Sequence, residues 1–189
     1  MTDPTAATIR ARRTVKDFTG EALSRAAVEA LLDLANQAPT HRLTQPWRFY
    51  ALDQAAIARL AIYLQAEPAI AAVPDPAKGA AKLAKLLERL PTLGAMVLIT
   101  WVRDPAPAID LEDHAAASAA VQNLLLAATA ADIGSFWSTN PALSHPLTAR
   151  WCGADPAAET TLAVVWLGRA AKTPAAPPRK PLAERMRWV

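Results

Sequence analysis

One cysteine, six glycines and three histidines are all that 189 residues hold of those types. With Cys152 alone no intrachain disulfide can form. His41, His114 and His145 fall in no CxxC or HxxxH spacing, which argues against a structural metal. So few glycines leave little room for a glycine-rich phosphate cradle. GxSxG, GxxxxGK[ST], HExxH and GxGxxG are all missing, and with them the common hydrolytic and phosphotransfer signatures. Long apolar runs are scarce too: the longest helical one, residues 115–131, is interrupted by Gln122 and Asn123. The opening "MTDPTAATIR" has no basic segment followed by an apolar one. The expectation is a cytoplasmic protein without metal or membrane span, folded as a single domain over 1–189.

What the chain does have is core material and unevenly placed charge. Hydrophobic residues make up 52% of it, enough for a real interior. The net charge is +3, yet residues 169–189 hold Arg169, Lys172, Arg179, Lys180, Arg185 and Arg187 against Glu184 alone, so the body is slightly acidic. A basic tail with no recognised nucleic-acid motif is expected to be a solvated arm or a subunit contact rather than a nucleic-acid footprint.

Periodicity sorts the chain into alternating helices and strands. In "SRAAVEALLDLANQAP" Ser24 can cap a helix whose Val28, Leu31, Leu32 and Ala35 recur at helical spacing. "QPWRFYAL" alternates as a half-buried strand does, and "AMVLITWV", residues 95–102, reads as a strand covered on both faces. Two alanine-rich helices lie within 53–90, separated by "EPAIAAVPDP", whose prolines predict a loop and a candidate mobile lid. A helix over "LEDHAAASAAVQNLLLAATAADIG" is expected to stop at Gly134. "SFWST" then forms a short strand, "NPALSHPLTARWCG" a helix with its approach, and "TTLAVVWLG" a last buried strand. Prolines 174, 177, 178 and 181 predict an extended arm over 172–189. The class is α/β or α+β with helices on both faces of a sheet. Trp47, Trp101 and Trp166 are expected in the core, Cys152 as an inert, partly buried thiol, His114, next to Asp113 on a helix, at the surface, and His145 at a helix start.

Two polar stretches are candidates for chemistry. "IRARRTVKDF", residues 9–18, places Arg10, Arg12, Arg13 and Lys16 beside one acid, Asp17. Arginines next to the Thr14 hydroxyl suit a phosphate, and the alternative is a solvated helix end whose cations meet a C-terminal dipole. "NQAPTHRLTQPWRFYAL" packs Asn36, Gln37, Thr40, His41, Arg42, Thr44 and Gln45 between a helix and an aromatic strand. His41 alone is a weak candidate base, because no second acid or base stands at a catalytic spacing from it.

Together these stretches resemble the paired N-terminal signature of the nitroreductase family of flavoproteins: "RRTVKDF", then "APTHRLTQPWRF". The resemblance continues in order through the apolar strand 95–102, the "QNLLLAA" helix and "DIGSFWST". It is nearest to the short members of the family, with Thr40 in place of an Asp and Leu43 where larger members have Asn. The resemblance implies a mixed, mostly antiparallel sheet flanked by helices and a homodimer of the arm-exchanging type, with FMN at the interface. It implies that Arg12, Arg13 and Thr14 hold the FMN phosphate, with Arg179 or Lys180 able to help. Gln37 and His41 would reach the flavin from the other subunit, and Trp137, Ser138 and Thr139 would lie along it. Arg10 or Lys16 would supply positive charge near the flavin N1 and C2 oxygen. The implied activity is ping-pong hydride transfer from NAD(P)H to a small-molecule acceptor such as a nitroaromatic or a quinone, the flavin carrying the chemistry. A flavin-storage protein, or a relative specialised for dehalogenation or flavin cleavage, is the alternative.

Overall fold

The computed structural model describes residues 3–71 and 76–189. Its centre is a four-stranded sheet in the order β1-β2-β4-β3, formed by β1 (Trp47–Leu52), β2 (Ala95–Val102), β3 (Gly134–Ser138) and β4 (Glu159–Gly168). Among the described residues all three pairings are antiparallel, in keeping with the mostly antiparallel sheet flanked by helices that was expected. β2 and β4 lie inside it and β1 and β3 form its edges. That position explains why β2 reads as a continuous apolar run: seven of its eight residues are buried.

The strand alternation divides the core into two layers. Met96, Leu98, Val164 and Trp166 point to one face, where α3 (Gln54–Ala66), α5 (Pro76–Arg89) and α7 (Pro146–Trp151) supply Leu60, Leu64, Leu86 and Ala149. Ala95, Val97, Ile99, Val165 and Leu167 point to the other, where α2 (Arg25–Ala35) and α6 (Pro107–Ala130) bring Leu31, Val121, Leu124 and Ala128. The 24 residues of α6 span about 36 Å at 1.5 Å per residue. Where α6 passes Trp47 and Trp101, its contact residues are Ala116, Ala117 and Ala120, small enough for the helix to approach the two indoles.

Ser24 caps α2 through Ala27 N, and His145 Nδ1 accepts from Leu147 N at the start of α7. Trp47, Trp101 and Trp166 are core residues at 4%, 9% and 3% exposure. Several expectations give way. A first helix, α1 (Pro4–Ala11), precedes the cationic stretch, capped by Asp3 with Pro4 at its start. The helix α6 begins earlier than expected, at Pro107, and ends at Ala130. Asp132, with left-handed backbone at φ 55, follows its end, and Gly134, where the helix was expected to stop, opens β3. Within the expected loop after α3, α4 (Pro68–Ala71) is helical, and the remainder of that candidate lid, 72–75, lies outside the described residues. His114, expected at the surface, is half-buried and stands edge-on to Trp101 with ring centroids 5.0 Å apart, and its neighbour Asp113 is buried.

Candidate functional site

After α1 the chain runs extended through residues 12–18, held from both sides. Val15 N donates to Ser135 O at 2.9 Å, and Ala171 N donates to Asp17 O at 2.9 Å. Val15 and Phe18 are buried, at 5% and 6% exposure, while Thr14, Lys16 and Asp17 face outward. The Lys16 ammonium sits 5.1 Å from the centroid of the Phe136 ring on β3, and Phe136 meets Trp166 edge-on at 5.2 Å.

That arrangement forms one side of a cavity of about 640 Å³. Phe136 and Trp166 give it aromatic lining, the end of β3 contributes Ser138, Thr139 and Asn140, and α5 contributes Lys82, Lys85 and Arg89. With Lys16 there are four cations against a single acid, Glu88. A volume of this order suits a medium-sized ligand. An aromatic wall, several cations and a hydroxyl edge suit an anionic one with a flat ring. A phosphorylated aromatic cofactor such as FMN fits these residues.

The structure joins only some of the residues singled out in the sequence. Lys16, Ser138 and Thr139 share the cavity. Trp137, between them, points to the opposite face and packs against the α2/α6 layer. Arg13 turns back on α1: its Nη1 donates to Arg10 O at 2.6 Å and Arg12 O at 2.9 Å, closing the helix end in the way a C-terminal cation can. It also borders a separate crevice of about 240 Å³ with Thr129 and Asp132. The cations of α5 are a part of the cavity that the motif reading misses, although Lys78, Lys82, Lys85 and Arg89 recur at four- and three-residue spacing and so share one helical face.

Gln37 and His41 lie elsewhere, in the loop that enters β1, at the opposite edge of the sheet from β3. This loop is built with care. Trp47 Nε1 donates to Asn36 Oδ1 at 2.9 Å, Gln45 N to Thr40 Oγ1 at 3.1 Å, and Thr44 Oγ1 to the buried Asp113 Oδ1 at 2.6 Å. Three of its residues adopt left-handed backbone without being glycine: Arg42 and Leu43 at φ 55 and Gln45 at φ 44. Each such residue costs on the order of 1–3 kcal/mol, sustained only because the surroundings fix it. His41 does have an acidic neighbour: its Nδ1 lies 2.9 Å from Glu112 Oε2 on α6, a pairing invisible in the sequence because the two are far apart in the chain.

Other titratable groups are structural. Burial pushes the Cys152 thiol up to about 12, so it stays protonated and inert. The Arg103 guanidinium holds Asp110 down at about 2, through contacts of 2.8 Å and 2.6 Å, with Trp101 Nε1 adding a third. Among the described residues no group of three or more His, Cys, Asp or Glu side chains converges, and no helix is long and apolar enough to cross a membrane.

An antiparallel sheet sandwiched between helices, with a cationic, aromatic-walled cavity at one edge, places the chain in the α+β class. The Nitroreductase family model matches residues 9–169, and the chain belongs to the nitroreductase family. A Bacillus subtilis protein named "Putative NAD(P)H nitroreductase YfhC" is 30% identical over 136 residues, 71% of this chain and 69% of that one. The crystal structure of a nitroreductase-like family protein from Bacillus cereus superposes with a TM-score of 0.87 at 23% identity, covering 100% of this chain and 97% of the other. A Desulfovibrio desulfuricans structure described as a putative nitroreductase in complex with FMN gives 0.77 at 26% identity, covering 98% and 96%.

Proposed function

We propose that this chain is an FMN-dependent NAD(P)H oxidoreductase that reduces nitroaromatics, quinones or related acceptors by ping-pong hydride transfer. The observation that carries this is the cavity in which Lys16 faces Phe136 beside Ser138 and Thr139. FMN, when bound, supplies the hydride-transferring centre that the side chains themselves lack.

Each residue then has a binding task. Phe136 and Trp166 offer apolar wall to the ring, and Ser138 and Thr139 offer hydroxyls to its polar edge. Lys16, with Lys82, Lys85 or Arg89, favours an electron-rich ring by its charge. Arg12 and Thr14, next to the Arg13-capped helix end, take the phosphate, with Arg179 or Lys180 of the tail available. Gln37 and His41 stand at the opposite sheet edge from the cavity, so their service at the flavin requires a second copy of the chain. The tail supports such an assembly: Leu182, Met186 and Trp188 are 68%, 44% and 91% exposed, apolar side chains that their own body leaves uncovered.

The test is an absorption spectrum of the purified protein followed by anaerobic addition of NADPH or NADH. Flavin bands that bleach support the reading. Bands that persist indicate a flavin-binding protein without this turnover, and no binding on addition of FMN overturns the proposal.

A further inference from the structure

We propose that the cationic face of α5, formed by Lys82, Lys85 and Arg89, holds the 2′-phosphate of NADPH and makes the protein select that dinucleotide over NADH; the inference rests on the oxidoreductase reading above and names the electron donor for the same cavity. NADH and NADPH carry the same nicotinamide ring and differ by one phosphate on the adenosine ribose. Discrimination between them therefore rests on positive charge placed to meet that phosphate.

The face is fixed by the packing of its own helix. Leu86 is buried at 2% exposure, and Leu83 and Leu87 pack partly against the same core, so the apolar stripe of α5 sets which side turns to the cavity. Lys82, Lys85 and Arg89 stand beside that stripe at three- and four-residue spacing, and all three line the cavity walled by Phe136 and Trp166. Their side chains are exposed. From Lys82 to Arg89 the helix rises about 10 Å at 1.5 Å per residue, so the charges form a strip rather than a point. A strip of that length exceeds the reach of a single carboxylate and suits a ligand with several phosphates.

None of the three makes an ion pair or a side-chain hydrogen bond among the described residues, whereas Arg103 is paired with Asp110, and Arg169 lies near Glu21 and Asp132. Like charges at helical spacing repel, and Glu88 is the single acid in the cavity, so the bare face is unfavourable and a bound anion relieves it. Arg89, in the last turn, also complements the helix dipole; Lys82 and Lys85, further back, gain little from it and are left to a ligand. FMN does not need the whole strip. Lys16 with one of these cations serves its ring, and Arg12 and Thr14 serve its phosphate, which leaves the remaining α5 charge for the dinucleotide.

The experiment measures anaerobic bleaching of the holoprotein flavin by NADPH and by NADH, at equal flavin occupancy, in the wild type, in Lys82→Gln, in Lys85→Gln and in the two combined. The wild type should prefer NADPH on the order of 100-fold in rate constant, each substitution should lower that ratio about 10-fold, and the double variant should react with the two nearly alike. Added salt should weaken the preference, because the face is exposed. Calorimetric titration with adenosine 2′,5′-bisphosphate, against adenosine 5′-phosphate as the control, gives a readout without turnover: the bisphosphate should bind the wild type about 10-fold more tightly or better, and lose that advantage in the double variant. A wild type indifferent to the two dinucleotides, or a preference that survives in the double variant, overturns the proposal. Flavin affinity that falls in the variants while the NADPH preference stands assigns the strip to the phosphate of FMN and overturns it as well. If neither dinucleotide bleaches the wild-type flavin, the oxidoreductase reading fails instead, and the bisphosphate titration alone decides whether the strip holds a 2′-phosphate.

Discussion

The ammonium of Lys16 lies 5.1 Å from the centroid of the Phe136 ring, placing one charge from the N-terminal extended segment directly against the wall of the cavity at the β3 edge. An exposed contact of this kind is worth about 0.5–1 kcal/mol to the fold. Its larger effect falls on a ligand. Lys16→Met keeps the aliphatic stem and deletes the charge, so unfolding free energy should change by less than about 1 kcal/mol. FMN affinity should weaken about 10-fold, the equivalent of one charged hydrogen bond. Flavin fluorescence titration reads this directly, and an unchanged dissociation constant removes Lys16 from the site.

Arg12 and Arg13 are adjacent in sequence and differ in employment. Arg13 closes the end of α1 through Arg10 O and Arg12 O. Arg13→Ala should therefore cost about 1 kcal/mol of stability, measured by urea unfolding, with a modest effect on flavin binding. Arg12→Ala should reverse the pattern, leaving stability nearly intact while flavin occupancy of the purified protein collapses. Equal effects of the two variants would mean that the cluster acts as one unspecific patch of charge.

Much of this was legible in the sequence, for identifiable reasons. The strands β2 and β4 are visible because interior strands must be apolar on both faces, and Ser24 and His145 announce helix starts because capping needs only local chemistry. The role of Arg13 as a helix cap was one of two readings left open, and the structure shows that contact. The cavity was half visible: Ser138, Thr139 and Lys16 could be named, whereas the α5 cations were passed over inside an alanine-rich helix. The His41–Glu112 pair was hidden because tertiary packing alone brings those residues together.

Gly94 tests how the cationic segment is positioned. A Cβ at this residue would stand 2.6 Å from Glu21 O and 2.9 Å from Leu23 Cγ, where the chain following Lys16 crosses the start of β2. Leu23 N also donates to Gly94 O at 3.1 Å, so the two strands of chain cannot separate without losing that bond. Gly94→Ala should destabilise the protein by about 1–3 kcal/mol through this overpacking. It should also weaken flavin binding by displacing the segment that carries Lys16. Wild-type stability in chemical denaturation would show that the crossing is looser than the backbone distances indicate.

Alkaline pH should expose the contact between β1 and β4. The Tyr50 hydroxyl lies 2.9 Å from both carboxylate oxygens of Glu159, which also accepts from Thr100 Oγ1. Burial first, then the hydrogen bond and charge of Glu159, push the Tyr50 phenol from 10.0 up to about 12. The folded state thus binds the phenolic proton more tightly than the unfolded chain. The stability this difference provides is complete below pH 10.0 and is lost as pH rises through about 12, because the unfolded chain ionises first. Tyr50→Phe should lower stability at neutral pH by about 1.5–3 kcal/mol, the value of a hydrogen bond to a charged group. It should also flatten the alkaline fall of stability, since the group that titrates differently is gone. Urea unfolding across the alkaline range, alongside the ultraviolet absorption of tyrosinate, measures both. Parallel alkaline curves for the two proteins would show that Tyr50 ionises as freely in the folded chain as in the unfolded one, and that its contact with Glu159 does not persist in solution.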